Sequence, residues 1–106
     1  MLSLSSERIR FSKMKSMLYH YMDFLGLTYA CDEGKRCKTC PNTHPKSTHK
    51  VGLAEDIIIY GPGRSYPHPG AETIYNQLHD FWDLLGGAKR IKKDLIHFSI
   101  EWEGVR

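Results

Sequence analysis

The 106-residue chain predicts an α+β domain: a small antiparallel sheet with two main helices packed against one face and a metal site on the other. Three observations carry that expectation. Two stretches repeat apolar residues at three- and four-residue intervals, two others are β-branched or alternating at strand length, and glycine or proline closes most of them. Hydrophobic residues make up 41% and charged residues 25%, the balance of a folded protein, and the length suffices for one modest core but not two. Residues 1–106 are therefore expected to form a single domain.

Ser5-Ser6-Glu7 offers a helix N-cap followed by an acid, and Phe11, Met14, Leu18, Tyr21 and Leu25 recur at helical spacing. The first helix is expected from about Ser6 to Leu25, with Met17 and Met22 widening its apolar face and Gly26 ending it. Leu27 to Cys31 has the length of a short strand. From Asp32 to Lys50 periodicity is lost in a loop rich in Lys, Cys, Thr and Pro.

Leu53 to Tyr60 contains Ile57-Ile58-Ile59 and stops at Gly61-Pro62-Gly63, as a buried strand would. In period two, Asp56 shares a face with Ala54 and Ile58. After a proline-rich loop, Ile74, Leu78, Phe81, Trp82 and Leu85 form a second helical stripe closed by Gly86-Gly87. His79 falls within this helix, where surface or packing is expected of it rather than a ligand role, and Trp82, which could line a substrate groove, fits the stripe as a core residue. The last strand is expected from Ile96 to Trp102, with Phe98, Ile100 and Trp102 on the core face and His97, Ser99 and Glu101 opposite.

The net charge of +3 is scattered along the chain, so a nucleic-acid partner is not indicated. No apolar run reaches the length of a membrane span, and the N-terminus lacks the pattern of a secretion signal. Nothing argues for an oligomer, and a monomer is expected.

His49, Asp56 and His97 offer two imidazoles and a carboxylate, the donor set of a catalytic zinc that keeps one position open. Asp94 precedes His97 by three residues. A turn at the strand entrance would bring its carboxylate beside the metal as a general base; the competing use of such a residue is a simple cap.

Ser-x-His-x-x-Gly-x-Ala-x-Asp, present from Ser47 to Asp56, resembles the first metal motif of the D-alanyl-D-alanine carboxypeptidase and L-alanyl-D-glutamate endopeptidase family of zinc peptidases. Asp94-x-x-His97-Phe98-Ser99 resembles the second, and the C-terminal stretch is similar to compact phage-type members. The resemblance covers residues 47–106. It implies the hedgehog/D-Ala-D-Ala peptidase-like fold, His49, Asp56 and His97 as zinc ligands, Asp94 as catalytic acid/base, and Ser47 on the substrate-facing side. It also implies an upstream arginine that steadies the substrate carbonyl, for which Arg36 is the positional candidate.

The implied substrate is the peptidoglycan stem peptide, and the implied setting is phage lysis: cytoplasm of the host bacterium until a separate membrane-permeabilising protein opens the way to the wall. Lys89-Arg90-Ile91-Lys92-Lys93 stands where phage relatives often carry glycines; four cations there would attract an acidic peptide, and the other reading is an exposed basic turn with no role.

Cys31, Cys37, Cys40 and His44, in the loop at about 31–46, have the composition of a second, structural zinc site. A Cys37–Cys40 disulfide and three reduced thiols are the other readings. The function classes that compete with a peptidase are a non-catalytic zinc-binding domain with a structural or wall-binding role and a zinc-ribbon-like nucleic-acid module.

Overall fold

Alternating burial in the chain resolves into two helices and three strands in a computed structural model, which describes residues 3–32, 51–60 and 71–105. In chain order these are α1 (Leu4–Phe24), β1 (Thr28–Asp32), β2 (Ala54–Tyr60), α2 (Ala71–Leu84) and β3 (His97–Ser99). The sheet is antiparallel with order β1-β2-β3. The fold is α+β, as the periodicities require.

α1 begins earlier than the Ser5-Ser6 reading placed it. Ser3 is the N-cap, its side chain accepting from the Ser6 amide at 3.0 Å, and Glu7 in the first turn is buried in an ion pair with Arg10 at 2.9 Å. Phe11, Met14, Leu18 and Met22 form the buried stripe. Met17, expected to widen it, is instead 48% exposed, because it points about 100° around the helix from the centre of the stripe that those four residues form.

Both helices end in the same device. Leu27 N–H bonds Met22 C=O and Gly26 N–H bonds Asp23 C=O; Gly87 and Gly86 repeat the pattern on Trp82 and Asp83. Gly26 at φ +72° and Gly86 at φ +93° supply the left-handed residue that this cap needs.

Trp82 sits at the centre of the core. Its indole meets Phe11 and Phe98 edge-on, both at 5.9 Å, and its N–H donates to Ser99 C=O at 2.8 Å. Leu18, Met22, Tyr75 and Leu78 from the helices close on Leu53, Ile57, Ile59 and Ile100. Ile57 and Ile59 share the helix-facing side of β2 with Glu55, which leaves Ala54, Asp56 and Ile58 on the opposite face.

β3 is much shorter than the strand expected over 96–102. Beyond Ile100 the chain folds back on itself, with Trp102 and Val105 exchanging backbone hydrogen bonds of 2.8 and 3.0 Å across Glu103 (φ 51°) and Gly104 (φ 79°). At its other end β3 is entered through a turn in which His97 N–H bonds Asp94 C=O at 3.1 Å. The edge of β2 that β3 leaves uncovered is completed by a side chain. The Tyr75 hydroxyl accepts from Ile59 N–H at 2.9 Å and donates to Ile57 C=O at 2.7 Å.

Among the described residues no helix is long and apolar enough to cross a membrane.

Candidate metal centre

The antiparallel register sets Asp56 of β2 directly opposite His97 of β3. Directly opposed residues project from the same face of the sheet, so one carboxylate and one imidazole meet on the face turned away from the helices. Both are buried, at 3% and 6% exposure. The Asp94–His97 turn then delivers a third donor. Asp94 N–H bonds Ile91 C=O at 2.8 Å and its own C=O accepts from His97, which folds Asp94 back beside the pair.

One ligand atom from each of Asp56, Asp94 and His97 lies within 4.8 Å of the other two. Asp56 Oδ1 and His97 Nδ1 are 3.5 Å apart. That is longer than a charge-assisted N–H to carboxylate hydrogen bond of about 2.7–2.9 Å. It is close to the roughly 3.3 Å that separates two ligands of a tetrahedral zinc with bonds of about 2.0–2.1 Å. The group could therefore hold a metal ion, and a borderline-soft divalent cation suits its mixed imidazole and carboxylate donors.

Of the residues singled out from sequence, the structure brings Asp56, Asp94 and His97 together. His49, Ser47, Arg36, Cys37, Cys40 and His44 lie outside the described residues. Cys31 is described, and it stands on the helix-facing side of β1, where its Sγ is 3.3 Å from the Tyr19 hydroxyl. Burial pushes its thiol pKa up. It thus faces away from the side of the sheet that carries Asp56 and His97.

A polar network that the sequence reading missed backs the site from behind. Glu55, buried beside Asp56 but pointing to the helices, is hydrogen-bonded by the Tyr19 hydroxyl and lies 3.5 Å from Lys15 Nζ. Tyr19 stacks on Tyr29, and burial drives its hydroxyl pKa far up, so the phenol remains a proton donor. The signal was present: Glu55 occupies the same alternate positions as Ile57 and Ile59, and a charge on a core face needs partners such as Lys15 and Tyr19, one helical turn apart.

His79 is fully buried on the same side. It stacks on Phe98 at 4.1 Å, and its Nε2 lies 2.8 Å from Leu95 C=O. Burial lowers its pKa, so the ring is neutral and donates this bond. Leu95 lies between Asp94 and His97, and His79 thereby steadies the turn that carries two of the three donors.

Compared with protein-family models, curated proteins and solved structures, the chain has no significant match.

Proposed function

We propose that the chain is a zinc-dependent peptidase that hydrolyses an amide bond in the stem peptide of bacterial peptidoglycan, as a phage lysis enzyme does. The observation that carries this reading is the convergence of Asp56, Asp94 and His97, three residues of the two motifs resembling that peptidase family, within 4.8 Å on one sheet face. His49, Asp56 and His97 would hold the ion. The ion, when bound, supplies Lewis acidity toward water and the scissile carbonyl.

The remaining chemistry belongs to the chain. Asp94 is half-buried and within reach of the same point as the ligands, so its carboxylate can take a proton from the attacking water and pass it to the leaving amine. The sheet fixes Asp56 and His97, and the turn fixes Asp94, so little rearrangement is needed at the moment of reaction. Ser47 and Arg36 complete the reading as substrate-contacting residues. The peptidoglycan peptide would be reached with the help of a separate membrane-permeabilising protein.

A second reading is favoured by one detail. Asp94 lies close enough to Asp56 and His97 to be a ligand itself, and a site filled by Asp56, Asp94, His97 and a further donor would be closed and structural. Asp94→Asn separates the two. A general base lost at constant volume leaves zinc content intact while hydrolysis of purified peptidoglycan falls by roughly two to four orders of magnitude. Loss of zinc from the variant, with no hydrolysis by the parent, would instead support the non-catalytic domain.

A further inference from the structure

We infer that Arg8 of α1 is a positioning residue for the first metal motif, its bond to Val51 C=O fixing the turn that leads from His49 into β2. The inference rests on the part of the peptidase reading in which His49 and Asp56 hold an ion, and deepens it by naming what holds the segment between them.

Arg8 Nε donates to Val51 C=O at 2.7 Å, a contact between residues 43 apart in the chain. Gly52 follows at φ +76°, and a Cβ there would lie 3.4 Å from Arg8 Nε, so the guanidinium closes against a turn that glycine makes without strain. Leu53 is fully buried, and its C=O accepts from Ile100 N–H at 3.1 Å. Glu55 is then taken by the Tyr19 hydroxyl and by Lys15 Nζ.

Arg8, Lys15 and Tyr19 stand seven and four residues apart, a spacing that puts them on one stripe of α1. That stripe grips the motif at Val51 and at Glu55, two residues after the first ligand and one before the second. Glu55 is a buried partner, whereas the Arg8 bond is exposed. Its loss therefore takes little from global stability and frees the turn locally.

Donors held in place before the ion arrives bind it more tightly, because ordering them on binding subtracts from the affinity. Two residues of chain from Val51 to His49 reach at most roughly 7 Å, so a clamp on Val51 narrows the positions open to the imidazole. The sign of the charge makes this role separable from an electrostatic one. A guanidinium repels a divalent cation, so by Coulomb's law alone its removal would tighten zinc binding. Affinity lost on removing Arg8 reports lost positioning.

The test is zinc affinity, measured by competition with a chromophoric chelator, beside urea unfolding of the zinc-free protein and hydrolysis of purified peptidoglycan. Arg8→Ala should weaken zinc binding roughly three- to tenfold, less than a group bonded directly to a ligand is worth, because it acts through backbone. Its urea midpoint without zinc should match that of the parent. Arg8→Gln sets an amide nitrogen as many bonds from Cα as the arginine Nε and removes the charge, so it should bind zinc at least as tightly as the parent. Lys13→Ala, which removes an exposed cation from another face of α1, should change neither reading.

Unchanged zinc affinity in Arg8→Ala overturns the inference, as does a parent that binds no zinc. A loss of affinity matched by an equal loss of stability, or Arg8→Gln as weak as Arg8→Ala, does the same. Weakened binding in Arg8→Ala with no hydrolysis by the parent would leave the inference standing and remove the peptidase reading. Hydrolysis by the parent with unchanged affinity in Arg8→Ala would do the reverse.

Discussion

Replacing Tyr75 by Phe deletes one oxygen and changes almost nothing else in shape. That oxygen completes the backbone ladder of β2 where β3 has ended, accepting from Ile59 N–H at 2.9 Å and donating to Ile57 C=O at 2.7 Å. Ile57, Ile59 and Tyr75 are all buried at 1% exposure or less, so water cannot easily take its place. A buried donor or acceptor left without a partner costs about 1–3 kcal/mol, and two such groups give about 2–4 kcal/mol once partial relaxation is allowed. For a domain of this size that corresponds to a fall in Tm of roughly 8–20 °C.

The measurement is urea or thermal unfolding of Tyr75→Phe beside Tyr21→Phe. The Tyr21 hydroxyl accepts only an exposed bond from Gln77 at 3.1 Å among the described residues, so its loss should cost well under about 1 kcal/mol. Because β2 carries Asp56, the Tyr75 variant should also bind zinc more weakly at temperatures where it is still folded. If Tyr75→Phe is within about 0.5 kcal/mol of the parent, the hydroxyl is not closing the sheet edge and the argument fails.

Gly87→Ala would place a Cβ 2.0 Å from Trp82 Nε1, against an indole held by its bond to Ser99, and should cost about 3 kcal/mol by overpacking; a stable variant with unchanged Trp fluorescence would refute this. His79 is held below its usual pKa of 6.5 by burial, so the unfolded chain binds more protons than the folded one in acid. Its contribution to stability is full above pH 6.5 and is lost as the pH falls below that value through the depressed folded pKa. His79→Gln should flatten the pH dependence of the urea midpoint in that range, and an unchanged slope would count against the assignment. His97→Ala and Asp56→Ala should each lose the zinc proposed at the Asp56–His97 pair, as read by metal analysis of purified protein. Retention of that ion by both would show that the metal lies elsewhere.

Apolar periodicity was enough to read the two helices, β-branched content and a Gly-Pro-Gly stop to read β2, strand length to read β1, and alternation to read the face of β2 that Asp56 occupies. The reason is local: a stripe at three- and four-residue spacing or an alternation of two has one way to bury its apolar residues, and Gly26 and Gly86 mark helix ends by conformational need. Asp56 and His97 were legible as candidate metal donors, whereas Asp94, whose spacing suits a cap as well as a base, was singled out only by its pairing with the upstream motif.

What lay beyond the sequence was decided by contacts distant in the chain. The register that sets Asp56 against His97 depends on how β2 meets β3, and β3 is short because the chain beyond Ile100 folds back through the Trp102–Val105 turn. Met17 looked as apolar as Met22, yet only the direction of the core relative to α1 separates a residue 48% exposed from one fully buried. Glu55 and Asp56 are adjacent acids that end on opposite faces, one held by Lys15 and Tyr19 and the other facing His97. Sequence supplied the chemical groups and their local faces. Long-range packing decided which of them meet, because burial and strand pairing are properties of the whole domain rather than of any one segment.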